Sequence, residues 1–294
     1  MEQLVFEKKN QNHILEVKKV SLESGGEMPV LCYPLLEQGG LAEHCFTTRK
    51  GGVSKGIYEE LNLSFTRGDD PAAVMENFRR VAQVFGKSEA DFVCSDQTHT
   101  THVLRVDQSF RGMGVTRERS FSDIDGLITD EPGLILSTFY ADCVPLFFVD
   151  PRHRAIGLSH SGWRGTVGRM GQATLNAMQR EFHTDPKDVL AAVGPSICQD
   201  CYEVSEDVAQ AFAEEFIGHE RDILLEKGGG KYQLDLWKAN EIVLREAGVQ
   251  KEHLAVTNIC TCCNPKLLFS HRASLGKRGN LGAFLMLSEK FRIS

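Results

Sequence analysis

A mixed α/β fold is what this sequence predicts, on three observations. Short apolar runs bounded by glycine, aspartate and proline recur along the chain, as expected of strands. Longer stretches with one apolar face stand between some of them, as expected of helices. The order of the two kinds is too irregular for simple strand–helix alternation. No repeat, low-complexity tract or linker long enough to separate domains interrupts the pattern.

Taken in order, Ile14–Val20 and Val30–Leu35 read as strands, and Glu37–Gly40 as a turn. AEHCFTTRKGGVSKG is a strand running into a glycine-rich loop. Pro71–Phe85 is a helix: Asp70 caps it, Pro71 suits its first turn, Val74, Phe78, Val81 and Phe85 keep one face, and Gly86 stops it. The strands that follow are Phe92–Cys94, Val103–Val106, Gly126–Thr129, Leu134–Thr138, Pro145–Val149 and Ile156–Ser159. A helix from about Thr166 to Phe182 precedes the strand Val189–Val193 and its GPS turn. Ser205–Phe216 and Leu236–Ala247 are helices, and Leu254–Ile259 and Gly282–Leu287 the last strands.

The bulk composition narrows the function. A formal charge of -7 argues against a nucleic-acid backbone as the main partner. MEQLVFEKKNQNHILEVKK scatters charge where a secretory leader needs an apolar core. No run approaches bilayer-spanning length, so the expectation is a cytoplasmic protein without a membrane partner. Nine cysteines in a chain of 294 residues do not resemble a secreted disulfide framework. Most are expected to be reduced thiols, with a few recruited for metal or catalysis.

The densest chemistry lies in FYADCVPLFFVDPRHRAIGLSHSGWRG. Cys143 precedes one strand-like run and His160 follows the next, while His99 lies upstream in CSDQTHTTHV. One thiolate and two imidazoles suit zinc with an open fourth position, which is a catalytic arrangement. They are too far apart in sequence for any local zinc motif, so tertiary structure has to assemble them. The bland reading is a buried cysteine and two hydrogen-bonded histidines. A third reading makes Cys143 a nucleophile with His160 as its base. His102 is set aside, because residues three apart in an extended segment face opposite ways.

Other features are less specific. In HSGWRGTVGR a strand ends in a glycine turn at a helix start, so Gly162, Arg164, Gly165 and Thr166 are candidates for a phosphate or carboxylate. A tight connection with Trp163 in the core is the plain alternative. Arg49 stands before the Gly51–Gly52 pair, where backbone can approach a ligand, or simply in a hairpin turn. Asp125 and Asp142 can orient a ligand imidazole or cap turns. Cys198 and Cys201 form C-x-x-C, and Cys260, Cys262 and Cys263 form CTCC. Lacking paired knuckles, these are expected to be buried thiols rather than a second zinc site. The basic run HRASLGKRG, His271–Gly279, faces a substrate anion or solvent.

CSDQTHTTHV, DIDGLITDEPGLIL, ADCVPLFFVD, HSGWRGTVG, GPSICQDCYEV and CTCCNPKLLFSHRASLGKRG, with FTTRKGGVS and LNLSFTRGDD, occur in an order that resembles the laccase-domain family of purine nucleoside phosphorylases, formerly called polyphenol oxidases. The resemblance runs from about His44 to the C-terminus. It implies a single mixed-sheet α/β domain, with residues 1–42 as variable strands of that domain and 43–294 as its catalytic body. It implies zinc on His99, Cys143 and His160, with copper as an alternative metal, Cys143 and Arg49 as catalytic residues, and Arg49 with the Gly162–Thr166 turn as the candidates to hold phosphate beside the ribose. Ala273 stands where the family has a second arginine, and Ser161 where it usually has alanine.

The implied activity is phosphorolysis of adenosine, inosine and S-methyl-5′-thioadenosine to base and ribose 1-phosphate, with adenosine deamination beside it. Purine nucleosides and inorganic phosphate are then the partners. Relatives also suggest hydrolysis of a cell-wall precursor amide. A copper phenol oxidase needs clustered H-x-H pairs; this chain has 10 histidines and no H-x-H.

Overall fold

The computed structural model describes residues 4–290. Among these, two six-stranded sheets pack face to face, each with a helical layer on its outer side.

The first sheet contains β1 (Glu16–Ser21), β2 (Glu27–Cys32), β3 (Ala42–Thr47), β4 (Phe92–Cys94) and two strands from later in the chain. The chain enters it first, so the strands before residue 43 share a sheet with those after it. The expected strand Val30–Leu35 stops at Cys32, because Pro34 opens a 3₁₀ turn. Helix α1 (Pro71–Ala82) covers the outer face with Val74, Phe78 and Val81. Asp70 caps it by accepting from the Ala72 amide at 2.9 Å, and Gly86 at φ 60 ends its 3₁₀ extension.

The second sheet holds β5 (Val103–Arg105) and β6 (Gly126–Thr129). The chain then returns to the first sheet for β7 (Ile135–Tyr140) and crosses back for the hairpin of β8 (Val144–Asp150) and β9 (Ala155–Ser161). Both hairpin strands are buried along their whole length. Their unbroken apolar character follows from cover on both faces. Phe147 and Val149 face the other sheet, while Val144, Leu146 and Phe148 face the helices. This is the period of two that a strand imposes.

The expected single helix from Thr166 to Phe182 is two: α2 (Trp163–Val167) and α3 (Met170–Phe182). Between them Arg169 is left-handed at φ 58 and its guanidinium reaches Glu215 at 3.1 Å. Strand β10 (Leu190–Val193) follows. A small sheet that the sequence pattern did not announce comes next, formed by β11 (Glu203–Ser205), β12 (Leu224–Gly228) and β13 (Lys231–Leu234). Helix α4 (Glu206–Glu215) sits inside this sheet's connections and α5 (Glu220–Ile223) leads into β12.

Helix α6 (Leu236–Glu246) joins α3 on the outer face of the second sheet. Strand β14 (Leu254–Val256) is shorter than expected. From Thr257 the chain turns to other work: the Asn258 amide donates to the carbonyls of Asn10 at 3.1 Å and Asn12 at 3.0 Å. A short helix, α7 (His271–Ser274), precedes β15 (Leu281–Leu287) in the middle of the first sheet.

The sheet orders are β1-β2-β3-β15-β7-β4 and β14-β10-β8-β9-β6-β5. The β4–β7, β10–β14 and β5–β6 pairs are parallel and the other pairs antiparallel, so both sheets are mixed. No helix among the described residues is long and apolar enough to cross a membrane.

Candidate metal centre and adjoining cavity

The centre is built by strand register. In the β8–β9 hairpin Pro145 pairs with His160. Cys143, two residues before Pro145, is therefore at the same sheet end as His160. The β6–β9 pairing sets Gly126 opposite Ser159, which brings Asp125 alongside. The His160 amide donates to the Asp125 carbonyl at 2.8 Å, and His160 Nδ1 donates to the Asp125 carboxylate at 2.7 Å. That bond fixes the tautomer and leaves Nε2 free to face a ligand.

The same carboxylate organises the loop that carries His99. It accepts from the amides of Thr98, His99 and Thr100 at 3.1, 3.2 and 2.9 Å, and from the Thr100 hydroxyl at 3.0 Å. Asp125 is completely buried, and these donors offset its desolvation. His99 is thereby held left-handed at φ 70, a conformation histidine tolerates better than most residues.

One donor atom each from His99, Cys143 and His160 lies within 4.8 Å of the other two. His160 is buried, Cys143 half-buried and His99 exposed. The imidazoles of His99 and His160 meet edge to face, with centroids 5.0 Å apart. Gly162 makes room: a Cβ there would sit 2.9 Å from the His99 ring and 3.2 Å from the Cys143 sulfur.

Burial alone would push the Cys143 thiol up, but the charge of His160 and hydrogen bonds from both imidazoles bring it down to about 6. Burial likewise opposes a charge on His160, yet the Cys143 thiolate and Asp125 raise its pKa to about 9. Without metal the pair is thus a thiolate beside an imidazolium. A soft anion with two nitrogens is a donor set that zinc accepts. In metal-free protein, alkylation of Cys143 followed by peptide mass spectrometry should show a midpoint near pH 6. A midpoint at the ordinary thiol value of about 8.5 would contradict this electrostatic reading.

Asp142 has a different task from that of orienting an imidazole. At φ 90, it accepts from the Thr261 hydroxyl at 2.6 Å and the Arg272 amide at 2.7 Å. It pins the turn before Cys143 to the C-terminal loop.

The three donors line a cavity of about 930 Å³. Phe65, Phe121 and Phe139 give it flat apolar walls, and Arg67, Arg119 and Arg278 give it positive charge. Arg278 is the notable one. It is 8% exposed, and its Nε has no hydrogen-bond partner. Burial first, then the charge of Arg67, lowers its pKa to about 10. A buried guanidinium with an unmet donor is a receptor for an anion. The basic run His271–Gly279 hinted at this in sequence, without saying which of its cations enters the cavity.

The other anion candidates are placed differently. Arg49 is not part of the cavity lining. Its Nε and Nη1 donate to the carbonyls of Glu59 at 2.7 Å and Pro265 at 2.9 Å, and its guanidinium stacks 4.5 Å over Phe269. Gly52, beside it, serves chain packing: a Cβ there would lie 2.2 Å from the Glu60 carbonyl. Gly162, Arg164, Gly165 and Thr166 also lie outside the lining. Gly165 and Thr166 are buried, with the Thr166 hydroxyl bonded to the Gly162 carbonyl at 3.0 Å and the Asn240 amide at 3.1 Å. Arg164 is exposed and covers Trp163 at 4.3 Å. His102 is exposed, with its Nδ1 on the Asp123 carbonyl at 3.0 Å.

The fold is a mixed-sheet α/β one, and its His–Cys–His centre lines an arginine-bearing cavity. The chain belongs to the family described as multi-copper polyphenol oxidoreductase laccase, whose pattern matches residues 43–288. It is similar to the purine nucleoside phosphorylase YlmD of Geobacillus stearothermophilus, 37% identical over 246 residues, covering 83% of this chain and 90% of that one. It is similar to adenosine deaminase RL5 from an unknown prokaryotic organism, 34% identical over 77% of this chain and 87% of that one. The crystal structure of YlmD from Geobacillus stearothermophilus superposes with a TM-score of 0.83 at 34% identity, covering 92% of this chain and 100% of that chain. These likenesses make the chain a relative of nucleoside-processing enzymes. The several coppers of the family description need clusters of histidines, and among the described residues no candidate metal group holds more than two.

Proposed function

We propose that this protein is a zinc-dependent purine nucleoside phosphorylase acting on adenosine, inosine and S-methyl-5′-thioadenosine. The observation that carries the reading is the pairing of His99, Cys143 and His160 with Arg278 in one cavity. The three residues hold the ion, and when bound it supplies Lewis acidity. Phe65, Phe121 and Phe139 offer flat surfaces to a purine, whose burial excludes water from the reacting bond. Arg278, with Arg67 near it, holds inorganic phosphate; the unmet Nε favours this pair over Arg49 and the Gly162–Thr166 turn. Bound phosphate offsets the positive charge that develops on the ribose as the glycosidic bond breaks. Arg49 acts from a distance by fixing the Glu59–Leu61 segment.

A second activity at the same centre, deamination of adenosine to inosine, is favoured by the likeness to a relative of that name. We also assign the protein to the cytoplasm, where its nine cysteines, none of them in a disulfide, stay reduced.

The test is incubation of zinc-loaded protein with inosine, with and without phosphate. Hypoxanthine and ribose 1-phosphate should form only with phosphate, and Arg278→Ala should raise the KM for phosphate about 10- to 100-fold, the range for losing one charge-assisted hydrogen bond. Base release that ignores phosphate would mean hydrolysis instead, and an unchanged KM would remove Arg278 from the anion site.

A further inference from the structure

The geometry points to a second metal site, in which Cys198, Cys201, Cys260 and Cys263 hold one structural zinc ion as a tetrathiolate. Taken as one block, CTCC lacks the paired form of a zinc knuckle. Read from its ends, Cys260-Thr261-Cys262-Cys263 is a C-x-x-C with an additional cysteine inside, matching Cys198–Cys201. The fold brings the two together. β10 and β14 are parallel neighbours, and the pairing continues beyond them as a bridge between Ser196 and Cys260. Each strand then ends in a tight turn that presents two thiols.

The four sulfurs all lie within 4.8 Å of one another, and those of Cys201 and Cys263 are 3.5 Å apart. A disulfide needs about 2.05 Å. Four sulfurs on a tetrahedron around zinc, at about 2.3 Å from the ion, stand about 3.8 Å apart. The spacing therefore suits one ion at the centre of the group. The Cys260 sulfur also receives two backbone donors, the amides of Cys198 at 3.2 Å and Cys263 at 3.4 Å. Amides aimed at a sulfur stabilise it as a thiolate. Zinc with four thiolates carries two net negative charges, and a cation stands ready: the Lys9 ammonium lies beside Cys198 and Cys263 while pairing with Asp200 at 3.0 Å.

Four protein ligands leave no open position, so this ion is a clamp and not a second reaction centre. Its place in the fold says what it clamps. Thr261, between two ligands, holds Asp142, and the Ile197 amide, next to a third, donates to the Asp142 carbonyl at 3.0 Å. Asp142 precedes Cys143. The ion would fasten both loops to the turn that carries the catalytic-centre thiolate. Cys262 is outside the four-sulfur group, with Cys201 and Ser270 beside it.

The test uses full-length protein purified without chelator. Zinc should be present at about two equivalents per chain. Cys143→Ala should retain about one equivalent, and X-ray absorption at the zinc edge of that variant should show a shell of sulfur alone at about 2.3 Å. If Cys143→Ala does not fold, His99→Ala, altered at an exposed side chain, takes its place. The double substitution Cys260→Ser, Cys263→Ser should lose the sulfur-only zinc and keep the other, whereas Cys262→Ser should lose neither. Nitrogen or oxygen scatterers in the Cys143→Ala spectrum, iron in place of zinc, a disulfide among the four, or a Cys143→Ala protein without zinc would each overturn the assignment. A wild-type protein with one sulfur-only zinc would instead support this site and refute the catalytic zinc.

Discussion

His99→Ala, Cys143→Ala and His160→Ala are each expected to remove zinc from the centre and lower kcat/KM for inosine phosphorolysis by more than about 100-fold. The magnitude exceeds that of losing an outer hydrogen-bond partner of a metal ligand, which already costs about 10- to 100-fold. His99→Ala is the most informative of the three. A thiolate nucleophile served by His160 would keep Cys143, His160 and Asp125 intact in that variant, along with the hydrogen bond at 2.7 Å that orients the base. A metal centre would not survive, because two protein ligands are a poor site for a catalytic zinc. His99 is exposed, so its removal leaves the core untouched and loss of activity cannot be laid to unfolding. Metal content and turnover of this one variant therefore separate the two chemistries open to Cys143. Full activity with the His–Cys–His centre empty of metal would favour the nucleophile.

Asp125→Asn is expected to weaken zinc binding by about 10- to 100-fold and to destabilise the fold by about 3 kcal/mol, as breaking a buried pair does. One carboxylate here serves His160, three consecutive amides and a hydroxyl. An asparagine would turn two amide hydrogens toward that crowd of donors and leave some unsatisfied. The pH dependence follows from the same contacts. Burial would raise the Asp125 pKa, but His160 and the amides of Thr100 and Thr98 hold it near 2. Its folded value lies below the unfolded one of about 4, so the carboxylate stabilises the protein above that pH. The contribution, about 2 kcal/mol, is lost as pH falls from about 4 toward 2. Acid unfolding monitored by circular dichroism should therefore be less steep in Asp125→Asn than in the wild type over this window. Equal steepness would show that another group dominates acid unfolding.

How much of this was legible in sequence depends on how local each signal is. Helix α1 was readable to its cap, because Asp70, Pro71 and Gly86 act on their own backbone. The hairpin of β8 and β9 was readable from two apolar runs around Asp150–Arg154, and antiparallel pairing alone then sets Cys143 and His160 at one end. Asp125 was named as a candidate orienting group, but its hold on three amides of the His99 loop depends on the β6–β9 register. Arg278 could not be singled out from the other cations of its run, since its burial is set by the cavity walls. The anion reading of Gly162–Thr166 rested on a real strand-to-helix turn, whose polar groups turn inward to Asn240. The helix split at Arg169 was hidden because a left-handed arginine has no sequence signature; ion pairs from α4 and α6 hold it. The small sheet was signalled only by Gly228–Gly230 between β12 and β13.

Diffraction at the zinc edge, from a crystal loaded with zinc and soaked with inosine and phosphate, puts the His–Cys–His centre itself to the test. An anomalous peak is expected between the imidazoles of His99 and His160 and the sulfur of Cys143, with the purine against the rings of Phe65, Phe121 or Phe139 and phosphate on Arg278. A Cys143 sulfur pointing away from both imidazoles, with no peak between them, or a nucleoside bound outside this cavity, would contradict it.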